Sequence, residues 1–229
     1  MLYSPAAKVA FAHYPKTAGH TLVSWFQESF PDARFVEPPR GYTISHLPVR
    51  DSLERLGLIS PPRLSGWQRI SSLLGGAPVA AGGLRIIGVL RDPFEMLVSL
   101  FEYWRTYKFS EPPQPRLIRA ACSLSFRDFL ALAVGPEPVQ TYRDFFDVGG
   151  PAWPQTRLLD FASLEPALAT VCREFGLRPP RQPLANHNSG PRPGRNLAPY
   201  RDEAGPLIEK ARRHFDWYYT LGSQQMIRG

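Results

Sequence analysis

Leu84-Arg85-Ile86-Ile87-Gly88-Val89-Leu90 runs straight into Arg91-Asp92-Pro93-Phe94-Glu95-Met96-Leu97-Val98-Ser99, and the reading of this stretch decides the class of fold. Its first half is rich in branched residues and apolar nearly throughout, the pattern of a strand buried on both faces. Asp92 can cap a helix and Pro93 is preset for its first turn. Phe94, Leu97, Leu100, Phe101 and Trp104 then recur at helical spacing, which predicts a helix over 93–107 with one face packed on a sheet.

The same alternation continues outward in both directions. Lys8-Val9-Ala10-Phe11-Ala12-His13-Tyr14 reads as a second buried strand, stopped by Pro15, and residues 22–30 carry helical spacing up to Pro31. Short extended pieces follow near 34–37 and 42–46. Residues 57–83 hold Pro61-Pro62, Gly75-Gly76 and Gly82-Gly83 around a helical stretch at 68–74, and read as an excursion from the core. Beyond the central helix, 126–134 and 139–146 suggest two more helices, and 157–161 a further strand. Ser163 opens a helix that runs to Phe175 and ends at Gly176. Residues 178–195 form a loop dense in Pro, Gly, Asn and Arg, and a last helix at 201–215 precedes an aromatic tail. Strands alternating with helices imply an α/β fold with a mainly parallel central sheet. With no long polar tract to divide it, the chain is expected to be one domain over 1–229.

Composition narrows the classes of function. Of 229 residues, 43% are hydrophobic, which suffices for a core and argues against disorder or a disulfide scaffold. No apolar run approaches a membrane span, and the first residues lack the apolar segment of a secretory signal. Two cysteines, Cys122 and Cys172, fit a reducing, cytoplasmic setting better than an oxidising one. The net charge of +7 rests on arginine, since the only lysines are Lys8, Lys16, Lys108 and Lys210. Such a balance suits anionic ligands. The basic residues are scattered and no nucleic-acid motif is visible, so no nucleic-acid partner is expected.

The loop between the first strand and first helix is Pro15-Lys16-Thr17-Ala18-Gly19-His20-Thr21. A strand-to-helix loop offers unpaired backbone N–H groups at the positive end of the helix, where an anion is stabilised. Gly19 can take φ > 0 and shape a nest of amides, Thr17 and Thr21 add hydroxyl donors, and Lys16 adds a mobile charge. With Lys16 at the start of the loop, the pattern is not a Walker A loop. Arg91, at the carboxyl end of the central strand, stands where open α/β sheets place ligands and can grip a phosphate with two parallel hydrogen bonds.

His13-Tyr14-Pro15-Lys16-Thr17-Ala18-Gly19-His20-Thr21-Leu22 resembles the H-x-P-K-T-[AG]-G-[TS]-[ST]-L phosphosulfate loop of sulfotransferases that use 3′-phosphoadenosine-5′-phosphosulfate (PAPS). Arg91-Asp92-Pro93 followed by Ser99 is similar to their 3′-phosphate motif, in the same order and spacing. More weakly, Leu158, Phe161, Leu164 and Phe175-Gly176-Leu177 resemble the family's later strand and helix. Asn188, Arg192 and Arg195 fall where relatives carry a cofactor-covering loop. The resemblance implies a three-layer, P-loop-like fold and no metal. It implies that Lys16, Thr17, Ala18, Gly19, His20 and Thr21 hold the 5′-phosphosulfate while Arg91 and Ser99 hold the 3′-phosphate. His20 departs from the family, which has Thr or Ser there.

Five histidines are available as a general base: His13, His20, His46, His187 and His214. Ser45-His46-Leu47-Pro48 looks like the family's T-H-L-P or G-H-L-P, whose His is the base, so His46 is the choice. Glu28, Glu37 and Asp51 are substitutes that nothing singles out. His13 and His20 flank the loop and are expected against cofactor, and His214 is expected to be structural.

The expected reaction moves a sulfuryl group from PAPS to a hydroxyl, leaving 3′-phosphoadenosine-5′-phosphate (PAP). The H-x-P-K-T form points to a saccharide acceptor, with peripheral membrane contact if that acceptor is a glycolipid. Trp67, Tyr103, Trp104 and Tyr107 could line its cleft. The alternatives are a P-loop nucleoside or sugar kinase, which needs magnesium, and a catalytically inactive nucleotide-binding protein.

Overall fold

The structure is a computed structural model that describes residues 1–37, 46–59, 83–106, 116–147, 155–180, 183–184, 196–221 and 226–228. Six short strands build one sheet: β1 (Leu2–Ser4), β2 (Val9–Ala12), β3 (Arg34–Phe35), β4 (Arg85–Leu90), β5 (Gln155–Asp160) and β6 (Met226–Ile227). Their order across the sheet is β3-β1-β2-β4-β5-β6. The pairs β2–β4, β4–β5 and β5–β6 are parallel, whereas β1 runs antiparallel to both β2 and β3. The sheet is therefore mixed and mostly parallel, as the alternating pattern implied.

Because side chains alternate along a strand, the sheet divides the core in two. Val9, Phe11, Ile87, Val89 and Leu159 face helices α1 (Gly19–Ser29) and α7 (Leu164–Phe175). Ala10, Ala12, Ile86, Leu90 and Leu158 face the other way. That second face is covered by α2 (Val49–Arg55), α3 (Pro93–Thr106), α4 (Arg116–Ser123), α5 (Phe126–Ala133) and α6 (Tyr142–Phe146), together with α8 (Ala198–Ala204) and α9 (Leu207–His214). A short α10 (Asp216–Thr220) precedes β6. Helices on both faces of a sheet make three layers.

Local chemistry explains most boundaries. Asp92 caps α3 as expected, its Oδ1 accepting from Glu95 N at 3.1 Å. Gly176, at φ 64°, closes α7. Ser163 stands at the N-cap of α7 without a side-chain cap bond, and Asp160 instead caps the preceding turn by accepting from Ala162 N. The single helix expected at 201–215 is two: Gly205 takes φ 52°, ψ −128°, and Pro206 has no N–H to continue the ladder. The helix expected from 139 starts only at Tyr142, where the Thr141 hydroxyl accepts from Asp144 N. The stretches expected at 42–45, 60–82 and 185–195 lie outside the described residues. No helix among those described is long and apolar enough to cross a membrane. Cys122 is exposed, Cys172 is buried, and they are not bonded to each other.

Candidate anion-binding site

The register of the sheet fixes the site. Ala12 lies opposite Gly88 and Leu90 opposite Asp160, so β2, β4 and β5 present the residues after their carboxyl ends along one edge. The loop after β2 and Arg91 after β4 are therefore neighbours.

Tyr14 anchors the entry to the loop. Its buried ring packs on Tyr142, Phe145 and Phe146, with centroids 4.6, 5.1 and 6.5 Å away, and its hydroxyl donates to the Gln140 carbonyl. Thr17, fully buried, donates its Oγ1 proton to the Tyr14 carbonyl at 2.8 Å. The Thr17 hydroxyl thus braces the loop, and the ligand contact expected of it would require it to turn from the Tyr14 carbonyl. Lys16 and Ala18 both take the left-handed conformation at φ 62°. For residues with a Cβ this costs about 1–2 kcal/mol each, a strain characteristic of ligand-holding turns. Such local reversals of handedness turn successive amides toward one concavity. Ala18 is the N-cap of α1, its methyl side chain makes no cap bond, and the first turn holds no acidic residue. The N–H groups at a helix start whose N-cap side chain makes no bond are the kind an anion can satisfy.

Gly19 has a different task from the one expected. Its φ is not positive; it is the first residue of α1, and a Cβ on it would fall 1.5 Å from His13 Nε2. The imidazole of His13 occupies that room. It is 7% exposed, stacks on Phe11 and leaves its Nδ1 without a partner among the described residues. Burial, reinforced by His46, His20, the Met1 amino group and Lys16, holds its pKa down to about 2, so it is neutral. His13 forms the floor of the loop. His20, on the first turn of α1, is exposed, and Thr21 beside it is half-buried.

His46 lies against His13, with ring centroids 4.8 Å apart. Its Nδ1–H donates to the His13 carbonyl at 3.4 Å, and because a carbonyl can only accept, this bond leaves Nε2 with the lone pair. Burial lowers the pKa of His46; the bond to His13 opposes this, while the Met1 amino group, His20 and Lys16 reinforce it. A neutral imidazole whose Nε2 holds the lone pair can accept a proton.

Lys16 and Arg91 supply the charge. The Lys16 ammonium stands 4.0 Å over the ring of Tyr103 on α3, and burial followed by the nearby Arg91 lowers its pKa. Arg91, 12% exposed at its side chain, stacks at 4.6 Å on Phe161, the residue that follows β5. Its Nε meets Glu95 Oε2 at 3.3 Å, one turn along α3. Tyr142 OH donates to the Arg91 carbonyl at 2.8 Å. A partly exposed ion pair is worth roughly 0.2–1 kcal/mol, and a cation on a partly exposed aromatic face about 0.5–1. The Phe161 ring and Glu95 therefore hold the guanidinium with comparable strength. Ser99 is half-buried on α3 between Glu95 and Tyr103, each four residues away, so the three share one face of the helix.

Of the other sequence-predicted site residues, Asn188, Arg192 and Arg195 lie outside the described residues, as do His187, Trp67 and Tyr107. His214 is structural as expected, its Nε2–H donating to the Val139 carbonyl at 2.7 Å. Trp104 packs on Phe129 at the core, whereas Tyr103 is 38% exposed. The spacing of Glu95, Ser99 and Tyr103 could have shown their shared face; nothing in the sequence joined Phe161 to Arg91. A cleft of about 280 Å³ lined by Arg50, Arg143, Asp144 and Asp147 contains none of the predicted residues, and its Arg143 and Asp147 pair at 3.8 Å. Among the described residues no group of His, Cys, Asp and Glu is placed to hold a metal ion. No protein-family model, curated protein or solved structure matches the chain.

Proposed function

We propose that this chain is a P-loop-like sulfotransferase that moves the sulfuryl group of PAPS to a hydroxyl, with a saccharide or glycolipid as the first acceptor class to test. The observation that carries the reading is the convergence at one sheet edge of a helix start whose N-cap side chain makes no bond, two left-handed loop residues, Lys16 and Arg91. Two cations close enough for one to depress the other's pKa are stable together when an anion lies between them. The donor supplies an activated S–O bond whose cleavage leaves PAP.

The chain's own residues do the rest by position and charge. The amides of 16–21 hold the 5′ end, and Arg91 with Ser99 holds the 3′-phosphate. His46 Nε2 takes the acceptor's proton as its oxygen bonds to sulfur. Lys16 meets the negative charge left on the departing phosphate oxygen, and for this it must leave Tyr103. A cytoplasmic location fits the two unbonded thiols.

Turnover of PAPS with hydroxylated acceptors, paired with calorimetry on PAP, tests the reading. Lys16→Ala and His46→Ala should each lose about 10²- to 10⁴-fold in turnover while still binding PAP, the range expected for a removed acid–base group. Arg91→Ala should bind PAP markedly more weakly. Folded wild type that binds neither PAPS nor PAP, or turnover that needs magnesium and moves a phosphoryl group, overturns the proposal.

A further inference from the structure

The geometry points to Phe161 as a positioning residue for the phosphate-holding arginine, a role that rests on the reading of Arg91 given above. An arginine grips a phosphate well only when its planar fork is already oriented, because the guanidinium's freedom is otherwise lost on binding. Among the described residues, Arg91 is constrained at three places. The Tyr142 hydroxyl fixes its backbone carbonyl, Glu95 touches its Nε, and the Phe161 ring lies 4.6 Å beneath the guanidinium carbon. The first contact leaves every side-chain torsion open. The second is a single contact of 3.3 Å to a carboxylate that is 35% exposed. Among the described residues, only the ring restrains the group across its face.

The ring has a second advantage over a carboxylate. It stabilises the cation through its quadrupole and adds no negative charge of its own to compete with a phosphate. Lys16 is held in the same manner on Tyr103, so both cations of the site rest on neutral rings contributed by other elements. Phe161 reaches Arg91 because Leu90 is paired with Asp160, which makes the residues after the two strands neighbours. The ring also packs partly against the core beneath α7, so its removal must be separated from simple loss of packing.

Calorimetry with PAP on the full chain makes that separation. Phe161→Leu keeps aliphatic bulk but loses the ring, and should bind PAP about tenfold more weakly while remaining fully folded at the temperature of the measurement. Phe161→Tyr restores the ring and should bind like wild type. On an Arg91→Ala background the Leu substitution should cost nothing further. In NMR spectra of the ligand-free protein, the Arg91 side-chain N–H signal should lose its ring shift in Phe161→Leu and keep it in Phe161→Tyr. Wild type that takes up no PAP overturns the parent reading and this role with it. Wild type that binds while Phe161→Leu binds equally well, or loses the same factor without Arg91, overturns this role alone.

Discussion

Gly19 and His13 form one packing unit, and the behaviour of the loop depends on both. A methyl group at Gly19 would overlap the imidazole at 1.5 Å from Nε2, so either the ring or the start of α1 must move. Gly19→Ala should therefore destabilise the protein by about 1–3 kcal/mol, the usual cost of overpacking, and weaken PAP binding at least tenfold. Adding His13→Ala makes room and should recover part of the stability, read by urea unfolding. Unchanged PAP affinity in Gly19→Ala would show that the first turn of α1 takes no part in binding. The sequence marked Gly19 as special but suggested backbone freedom as the reason, whereas the structure assigns that freedom to Lys16 and Ala18. The difference is tertiary: His13 arrives from the end of β2, and no local pattern records where its ring comes to rest.

At the scale of elements, positive φ is tolerated for different reasons at different places. Gly205 sits at φ 52°, ψ −128° between α8 and α9, and a methyl group on it would meet nothing within 4 Å. Gly205→Ala should therefore cost about 1–3 kcal/mol through backbone strain alone. Ala18→Gly relieves strain of similar kind but frees the unfolded chain, and should change stability by less than about 1 kcal/mol. Thermal unfolding of the two variants checks the contrast; equal losses would refute it. Elements with long apolar runs and clear caps were legible in the sequence, as β4, α3, β5 and α7 show. The extended piece expected near 34–37 is β3, but β1 and β6 were not readable as strands, because two or three residues are too few to show alternation. The loop and Arg91 were placed from sequence, but the rings beneath Lys16 and Arg91 come from distant elements and could not be.

For the whole molecule, buried neutral histidine couples folding to pH. The folded pKa of His13 is held at about 2, against 6.5 for an ordinary histidine, so below pH 6.5 the unfolded chain binds a proton that the native one refuses. Stability from this source is complete above 6.5 and falls by about 1.4 kcal/mol per pH unit below it, or about 2 kcal/mol by pH 5. His46 is shifted in the same direction, and the groups named as acting on His13 — His46, His20, the Met1 amino group and Lys16 — are all cationic when protonated. Urea unfolding at pH 7 and pH 5 should show a smaller loss for His13→Asn than for wild type, and an equal loss would reject the assignment. The pairing of β2 also bears on how the molecule is assembled. Its partner β1 is close by in the chain, but its other partner, β4, arrives only with Arg85. During synthesis the ligand loop must wait for that distant neighbour, so a nascent chain ending short of Arg85 would carry the whole motif yet lack the wall that holds it open. Nucleotide capture would then report a finished sheet rather than the mere presence of the loop.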